Sequence, residues 1–212
     1  MEKEQQHIED PILTEDAILA HRKTQEEKRY KEQKKAFLNE LFDFVKTFLI
    51  SAAIVFVTVH YIATPVQVKG NSMYPTLKND SLGFSNVLGR RIEPLKRFDI
   101  VVIYFEDRND YLVKRLIGLP GETIAYHDEK LYINGQEVEE TFLDQMYMAT
   151  FSSQFTEDIE EITLGEDEVY CLGDNRPTSR DSRYYGPFKV SQITSKGVFV
   201  VYPFKDFGVK SW

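Results

Sequence analysis

Ser72 is a candidate nucleophile because of the turn in which it lies. Gly70 comes two residues before it and Pro75 three residues after it, so this stretch cannot continue a helix or the interior of a sheet. A turn of this kind exposes the hydroxyl beside a backbone N–H, and attack on a carbonyl uses both groups. The alternative is that Ser72 is only a turn residue, the commoner role of a serine between glycine and proline.

Lys114 is a candidate general base. In segment 111–122 the period-two alternation of a strand puts Lys114 on one face with Leu112 and Leu116. An apolar environment disfavours the charged amine and lowers its pKa, which a lysine needs before it can accept a proton near neutral pH. The neighbouring Arg115 cannot take this role because a guanidinium does not deprotonate in proteins. The alternative is an edge-strand lysine whose ammonium extends to water.

A third polar segment, residues 173–186, is too charged for a strand. Asp181 and Arg183 are two residues apart, so they can share a face and pin the loop. Ser179 or Ser182 can hydrogen-bond a buried amine. The alternative is a surface loop rich in Asp, Asn and Ser.

Strands are predicted to position these segments. Residues 100–105 form an apolar, β-branched run of strand length, and Asn134-Gly135 between residues 131–133 and 136–138 is a strong hairpin signal. Residues 112–117, 169–172 and 198–202 predict further strands, and no long helix is expected after residue 68. The fold class is therefore mainly β.

Composition excludes several classes of protein. The 212 residues carry a net charge of -8 with a pI of about 5.1, which argues against a nucleic-acid binder with a dense basic face. The single cysteine, Cys171, excludes an internal disulfide framework, and the four histidines lack the spacing of a zinc site. No metal or other cofactor is expected. Cys171 is expected to be a buried apolar residue rather than a reactive thiol.

Residues 47–68 are predicted to anchor the chain in a membrane. These 22 residues contain no Asp, Glu, Lys or Arg and are enough to cross a hydrocarbon layer about 30 Å thick at about 1.5 Å per helical residue. A cleaved signal peptide would begin nearer the N-terminus and have a shorter apolar core. A buried core helix would show a polar face, which this segment lacks.

Residues 1–46 form a charged tail, expected to be a solvated helix or mobile. Eight of its nine Lys and Arg residues lie in positions 22–46, next to the apolar run. This bias predicts a single-pass protein with a cytoplasmic N-terminus and residues 69–212 outside the cell membrane.

Residues 69–212 are long enough for one domain with its own core. Within it, residues 131–175 hold twelve Asp and Glu and no Lys or Arg. This favours an acidic inserted subdomain at about 123–168, or alternatively a solvated surface loop.

The order of these segments behind a single anchor closely resembles the type I signal peptidases of bacteria, most closely those of Gram-positive species. These are serine/lysine proteases with a β domain that remove signal peptides from exported proteins. The resemblance covers the anchor and most of residues 62–203. The matching motifs are residues 70–77, 98–103, 111–122 and 173–186.

The resemblance implies that Ser72 is the nucleophile and Lys114 the general base of an acyl-enzyme mechanism, without a cofactor. It further implies that Ser179 hydrogen-bonds and orients the lysine and that Met73 lines the first substrate pocket. Asp181 and Arg183 match a supporting ion pair, and Asp174 and Arg115 belong to the same supporting shell. Some members use a serine hydroxyl two residues before the nucleophile as second oxyanion donor, but this chain has Gly70 there.

The implied partners are precursor proteins with signal peptides and the lipid bilayer, not nucleic acid. The self-cleaving repressors of the DNA-damage response also use a serine/lysine pair, but they begin with a DNA-binding domain and lack an anchor. A non-catalytic adaptor would have lost Ser72 or Lys114, and both are present.

Overall fold

A long helix occupies the N-terminal part of the chain. The computed structural model describes residues 15–210, so residues 1–14 of the predicted tail lie outside it. Helix α1 runs from Glu15 to Val57 and ends in a π-helical turn, Thr58–Ile62. Among the described residues, this is one helix long and apolar enough to cross a membrane. The part of the tail from Glu15 onwards is helical rather than irregular.

The uncharged run 47–68 does not form one continuous helix. Its last residues, Ala63–Gln67, form strand β1, which pairs with β2 (Leu82–Asn86). The helix therefore ends at Ile62, short of the predicted boundary at Val68. Pro65 explains the difference, since proline is excluded from a helix interior but tolerated in a strand at the edge of a sheet.

Residues 55–210 form a compact unit built mainly from antiparallel strands, which confirms the predicted fold class. Besides β1 and β2, its larger sheet contains the strands β3 Ile100–Phe105, β4 Asp110–Gly118, β9 Glu168–Leu172, β10 Phe188–Lys189, β11 Ile193–Tyr202 and β12 Gly208–Lys210. The order of the strands in this sheet is β1-β2-β11-β3-β4-β9-β10, and β12 pairs with β11. After α1 the helices of the described chain are short: α2 Val87–Ile92, α3 Gln145–Met148 and α4 Ser182–Tyr185.

The strands β5 Thr123–His127, β6 Lys130–Ile133, β7 Gln136–Val138 and β8 Ile159–Thr163 form a second sheet of order β7-β6-β5-β8. This sheet begins before the acidic stretch 131–175 and overlaps it. The predicted hairpin is present, with Asn134 and Gly135 both at positive φ, as a type I′ turn requires. Residues 123–163 thus contain a four-stranded sheet, and the inserted subdomain at about 123–168 stays a prediction.

The two sheets share an apolar core. Ile124 and Tyr126 of the small sheet are fully buried against Ile117 and Tyr170 of the large one. Strand β4 also separates two clusters, since Leu116 packs with Cys171 whereas Val113 packs near Met73. The alternation predicted for β4 therefore holds, and Cys171 is buried as expected.

Substitution of Gly83 tests how closely β2 packs against β11. A Cβ at this position would lie 2.3 Å from the carbonyl oxygen of Phe199, so a side chain would push the strands apart. Gly83→Ala should lower the free energy of unfolding by about 1–3 kcal/mol, measured by denaturant unfolding in detergent. Leu82→Ala on the same strand, where the side chain is 43% exposed, should change it by less than about 1 kcal/mol. Equal effects of the two variants would contradict this packing.

Candidate active site

The turn that carries Ser72 is held by its own backbone. Gly70 has φ +88°, a conformation that favours glycine, and its N–H donates to Asn79 Oδ1 at 2.7 Å. The N–H of Tyr74 donates to Asn71 O at 3.1 Å. Within residues 15–210, no acceptor takes the Ser72 N–H. Ser72 therefore presents both a hydroxyl and a free backbone donor.

Lys114 reaches this hydroxyl from β4. Its side chain is only 3% exposed, and Nζ donates to Ser72 Oγ at 2.8 Å. When the amine is neutral, the same pair can reverse its hydrogen bond, with Oγ–H donating to Nζ. The predicted nucleophile and base, 42 residues apart in the chain, thus lie within hydrogen-bonding distance.

Burial sets the protonation of Lys114. Burial and the surrounding charges together lower the pKa of the amine from 10.5 to about 8; burial is the largest cause, and the Arg183 guanidinium acts in the same direction. The carboxylates of Asp181 and Asp174 partly offset this by raising the pKa. Desolvation is the largest effect, and with a pKa of about 8 roughly a tenth of the amine is neutral at pH 7.

A cleft of about 470 Å³ opens beside the pair. Its lining includes residues 64–68, residues 110–114, Ser72 and Met73. Strand β1 ends the sheet order, and the pairing of β4 with β9 begins only at Arg115. Two strand edges therefore face the cleft, and such edges offer backbone N–H and C=O groups to an extended peptide.

Arg115 and Asp174 form a buried ion pair behind Lys114. The guanidinium donates from Nε and Nη2 to the two carboxylate oxygens of Asp174, at 2.8 and 2.7 Å. Thr76 Oγ1 donates to the same carboxylate at 2.6 Å. Asp174 therefore links the turn of Ser72 to the strand of Lys114.

The loop that begins at Gly173 holds the backbone of Ser72. The N–H of Asn175 donates to Ser72 O, and its Nδ2 donates to Asn71 O, both at 3.0 Å. A Cβ on Gly173 would lie 2.3 Å from Ser72 O, so only glycine allows this approach. Sequence reasoning missed the role of Asn175, since its partners are more than 100 residues away in the chain.

Asp181 and Arg183 pair as the spacing predicted. Nε and Nη2 of Arg183 each donate to the carboxylate of Asp181 at 2.9 Å, and Gly173 N–H donates to it at 3.0 Å. Burial alone would raise the pKa of Asp181, but the hydrogen bonds from Arg183 and Gly173 hold it below its ordinary value. The pair therefore stays charged and fixes the loop behind Lys114.

Ser179 does not make the hydrogen bond to Lys114 that the resemblance implies. Its Oγ is buried and has no hydrogen-bond partner among the described residues, while the amine of Lys114 bonds Ser72. Ser179 instead packs beside Gly173, where a Cβ would lie 2.2 Å from its Oγ. The hydroxyl of Ser179 is thus inside the site but makes no hydrogen bond to Lys114.

The N–H of Gly70 is not a second free backbone donor beside that of Ser72, because Asn79 Oδ1 accepts from it at 2.7 Å.

Two further residues make no hydrogen bond to Ser72 or Lys114 within the described chain. Cys171 is buried, which raises the pKa of its thiol, and His127 is exposed at the end of β5. Within residues 15–210, no group of three or more His, Cys, Asp and Glu side chains is arranged to hold a metal ion.

Comparison with known proteins identifies the family. The family model described as "Signal peptidase, peptidase S26" matches residues 41–202. The chain is 40% identical to signal peptidase I of Bacillus caldolyticus over 171 residues, covering 77% of this chain and 90% of the relative. It is 35% identical to signal peptidase I S of Bacillus subtilis over 170 residues, covering 78% and 91%. It is 31% identical to signal peptidase IB of Staphylococcus aureus over 178 residues, covering 79% and 93%. The chain therefore belongs to the signal peptidase family, peptidase S26.

Proposed function

We propose that this chain is a membrane-anchored endopeptidase that removes signal peptides from exported precursor proteins, with Ser72 as nucleophile and Lys114 as general base. The observation that carries the proposal is the 2.8 Å contact between Ser72 Oγ and an amine that is 3% exposed. A hydroxyl beside a desolvated amine is a recognised form of activated nucleophile. Family membership supports signal peptides as the substrate class.

The reaction proceeds through an ester. Neutral Nζ of Lys114 takes the proton of Ser72 as Oγ attacks the carbonyl of the peptide bond. The tetrahedral intermediate collapses, the C–N bond breaks, and the ammonium of Lys114 gives its proton to the leaving amine. Water then attacks the ester carbonyl and gives a proton to Lys114; the bond between the acyl carbon and Oγ breaks, the ammonium returns the proton to Oγ, and the carboxylic acid product leaves. The lysine therefore moves one proton in each direction in each half of the reaction.

Negative charge on the carbonyl oxygen needs hydrogen-bond donors. The free N–H of Ser72 is one donor. Gly70 has no side chain to supply the second, and its N–H is bonded to Asn79.

The cleft suits the residues before the cut. An extended peptide between Thr64–Val68 and Asp110–Lys114 can bond both strand edges and deliver its carbonyl to Ser72. Met73 lines the cleft and is buried, so it closes the pocket for the side chain just before the cut. Members of the family accept small residues just before the cut, and a pocket closed by Met73 fits a side chain of that size.

The anchor brings enzyme and substrate to one surface. Residues 47–62 lie in the candidate membrane span, and the positive charge excess lies on its N-terminal side. We infer that the N-terminus is cytoplasmic and the β unit extracellular. Precursors held in the same bilayer by their own apolar segments then meet the cleft at high local concentration.

Removal of either reacting group tests the chemistry. Ser72→Ala and Lys114→Met should each lower kcat for cleavage of a precursor in detergent by at least about 1,000-fold, because each removes a step of the proton and acyl transfer. Ser191→Ala and Lys130→Met, both at exposed positions, are the matched controls and should cleave at the wild-type rate. Substantial turnover by Ser72→Ala would exclude the proposed mechanism.

The pH dependence tests the base. Only the neutral amine accepts a proton, and burial lowers the pKa of Lys114 to about 8. The value of kcat/KM should therefore rise about tenfold per pH unit below that pKa and level off above it. Unfolding midpoints across the same range serve as the control for stability. A rate that keeps climbing towards the ordinary lysine pKa of 10.5 would contradict a desolvated base.

Protease protection tests the orientation. On cells stripped of their wall, added protease should digest residues 69–212 and spare residues 1–46, because only the β unit faces outwards. Antibodies against each end of the chain report the fragments, and permeabilised cells serve as the control in which both ends are digested. Digestion of residues 1–46 in intact cells would reverse the topology.

A further inference from the structure

The connection between β7 and β8, residues 139–158, makes contacts outside its own sheet. It leaves the small sheet after Val138 and returns at Ile159. It provides none of the residues that line the cleft, so it takes no direct part in the chemistry described above. Its side chains nevertheless touch the neighbours of Ser72, Lys114 and Gly173.

The first contact is a buried ion pair. Arg176 is 1% exposed, and its guanidinium donates to Glu140 at 2.6 and 3.2 Å and to Thr156 Oγ1 at 3.1 Å. Nε of the same guanidinium donates to Gly173 O at 3.1 Å. Gly173 is the residue whose backbone packs directly on Ser72 O. The β7–β8 connection thus reaches the backbone of the nucleophile through one arginine.

The second and third contacts are aromatic. The ring of Phe142 lies 4.0 Å from the guanidinium carbon of Arg115, the residue after Lys114. The ring of Tyr147 packs edge-on against Tyr74, two residues after Ser72, with centroids 4.9 Å apart. The connection therefore contacts both β4, which carries Lys114, and the turn that carries Ser72.

Stability alone is a weak reason for the ion pair. Desolvation of two charges offsets much of their attraction, and an apolar pair of similar volume is often as stable. A bidentate pair fixes distance and angle in a way that an apolar contact does not. The rate of a reaction between two side chains depends steeply on such placement.

We propose that the β7–β8 connection positions Ser72 and Lys114 for reaction, with Glu140 and Phe142 as the positioning residues. This inference rests on the proposed roles of Ser72 and Lys114. Glu140 acts through Arg176 and Gly173 on the nucleophile, and Phe142 acts through Arg115 on the strand of the base. The inserted sheet is then part of the catalytic unit rather than an appendage.

The test uses the full chain in detergent with two substrates. One is a peptide that spans the cut, and the other is a nitrophenyl ester of only the residues before the cut. The variants are Glu140→Gln, which keeps the shape but removes the charge, and Phe142→Leu. Their controls are Glu137→Gln, from an ion pair 54% exposed in the same sheet, and Phe204→Leu, at a side chain 80% exposed.

Glu140→Gln and Phe142→Leu should each lower kcat roughly 10- to 100-fold on both substrates, with KM changed by less than about twofold. The controls should match the wild type. The assay runs well below each variant's unfolding midpoint, so that only folded protein is compared. If Glu140→Gln does not fold, the result for Phe142→Leu decides whether the connection positions the reacting groups. Phe142→Leu leaves no buried charge without a partner, because Arg115 stays paired with Asp174.

Three results would overturn the inference. An unchanged kcat would show that the contacts do not set the geometry. A loss confined to the spanning peptide would show that the connection binds the chain after the cut. A loss that follows the unfolded fraction would show a role in stability alone. Ser72→Ala is measured alongside: activity in that variant would exclude the proposed mechanism itself, whereas an inactive Ser72→Ala with an unaffected Glu140→Gln would exclude only the positioning role.

Discussion

The removal of one lysine from water is the constraint on which the site depends. The pKa of Lys114 falls from 10.5 to about 8, which corresponds to roughly 3 kcal/mol in favour of the neutral amine. An ordinary lysine would be charged at neutral pH and could not accept a proton from Ser72. The surrounding chain must therefore exclude water from the amine without placing an unscreened carboxylate directly against it.

The charges around Lys114 meet this requirement because they are paired with each other. Asp174 is occupied by Arg115 and Thr76, and Asp181 by Arg183 and a backbone N–H. Each carboxylate raises the pKa of the lysine less than an isolated charge would, since its field is partly cancelled by its own partner. The same pairs fix the loop that supports Ser72. One polar network thus affects both the protonation of Lys114 and the placement of Ser72.

Both sheets contribute to this arrangement. The large sheet carries Lys114 on β4 and borders the cleft with β1, whose single pairing partner in the described chain is β2. The small sheet shares its core with the large one and sends Glu140 and Phe142 to the arginines that hold Gly173 and Asp174. In the chain, β1 follows directly after a helix that is long and apolar enough for a membrane. Thr64, which lines the cleft, is therefore only two residues beyond Ile62, where that helix ends.

The sequence by itself determined the strands β3, β4, β6, β7, β9 and β11, the hairpin at Asn134-Gly135, the apolar run of the long helix and the candidate residues Ser72 and Lys114; the strands β1, β2, β5, β8, β10 and β12 were not predicted. The predicted features follow from local patterns: period-two alternation, positive-φ turn residues, an uncharged run and a serine between Gly70 and Pro75. The sequence did not locate the end of the helix, because the uncharged run continues past Ile62 into β1 and composition does not separate a membrane helix from an apolar edge strand.

The tertiary structure alone decided which residues meet. Asn175 on the backbone of Ser72, Thr76 on Asp174, Asn79 on Gly70 and Glu140 on Arg176 are hydrogen bonds between residues that, except for Asn79 and Gly70, are far apart in the chain. Only the tertiary structure could show that Ser179 lies beside Gly173 rather than bonded to the lysine. Local patterns record whether a residue is buried or turned, but the partner of a buried polar group depends on packing between distant elements, which no single segment encodes.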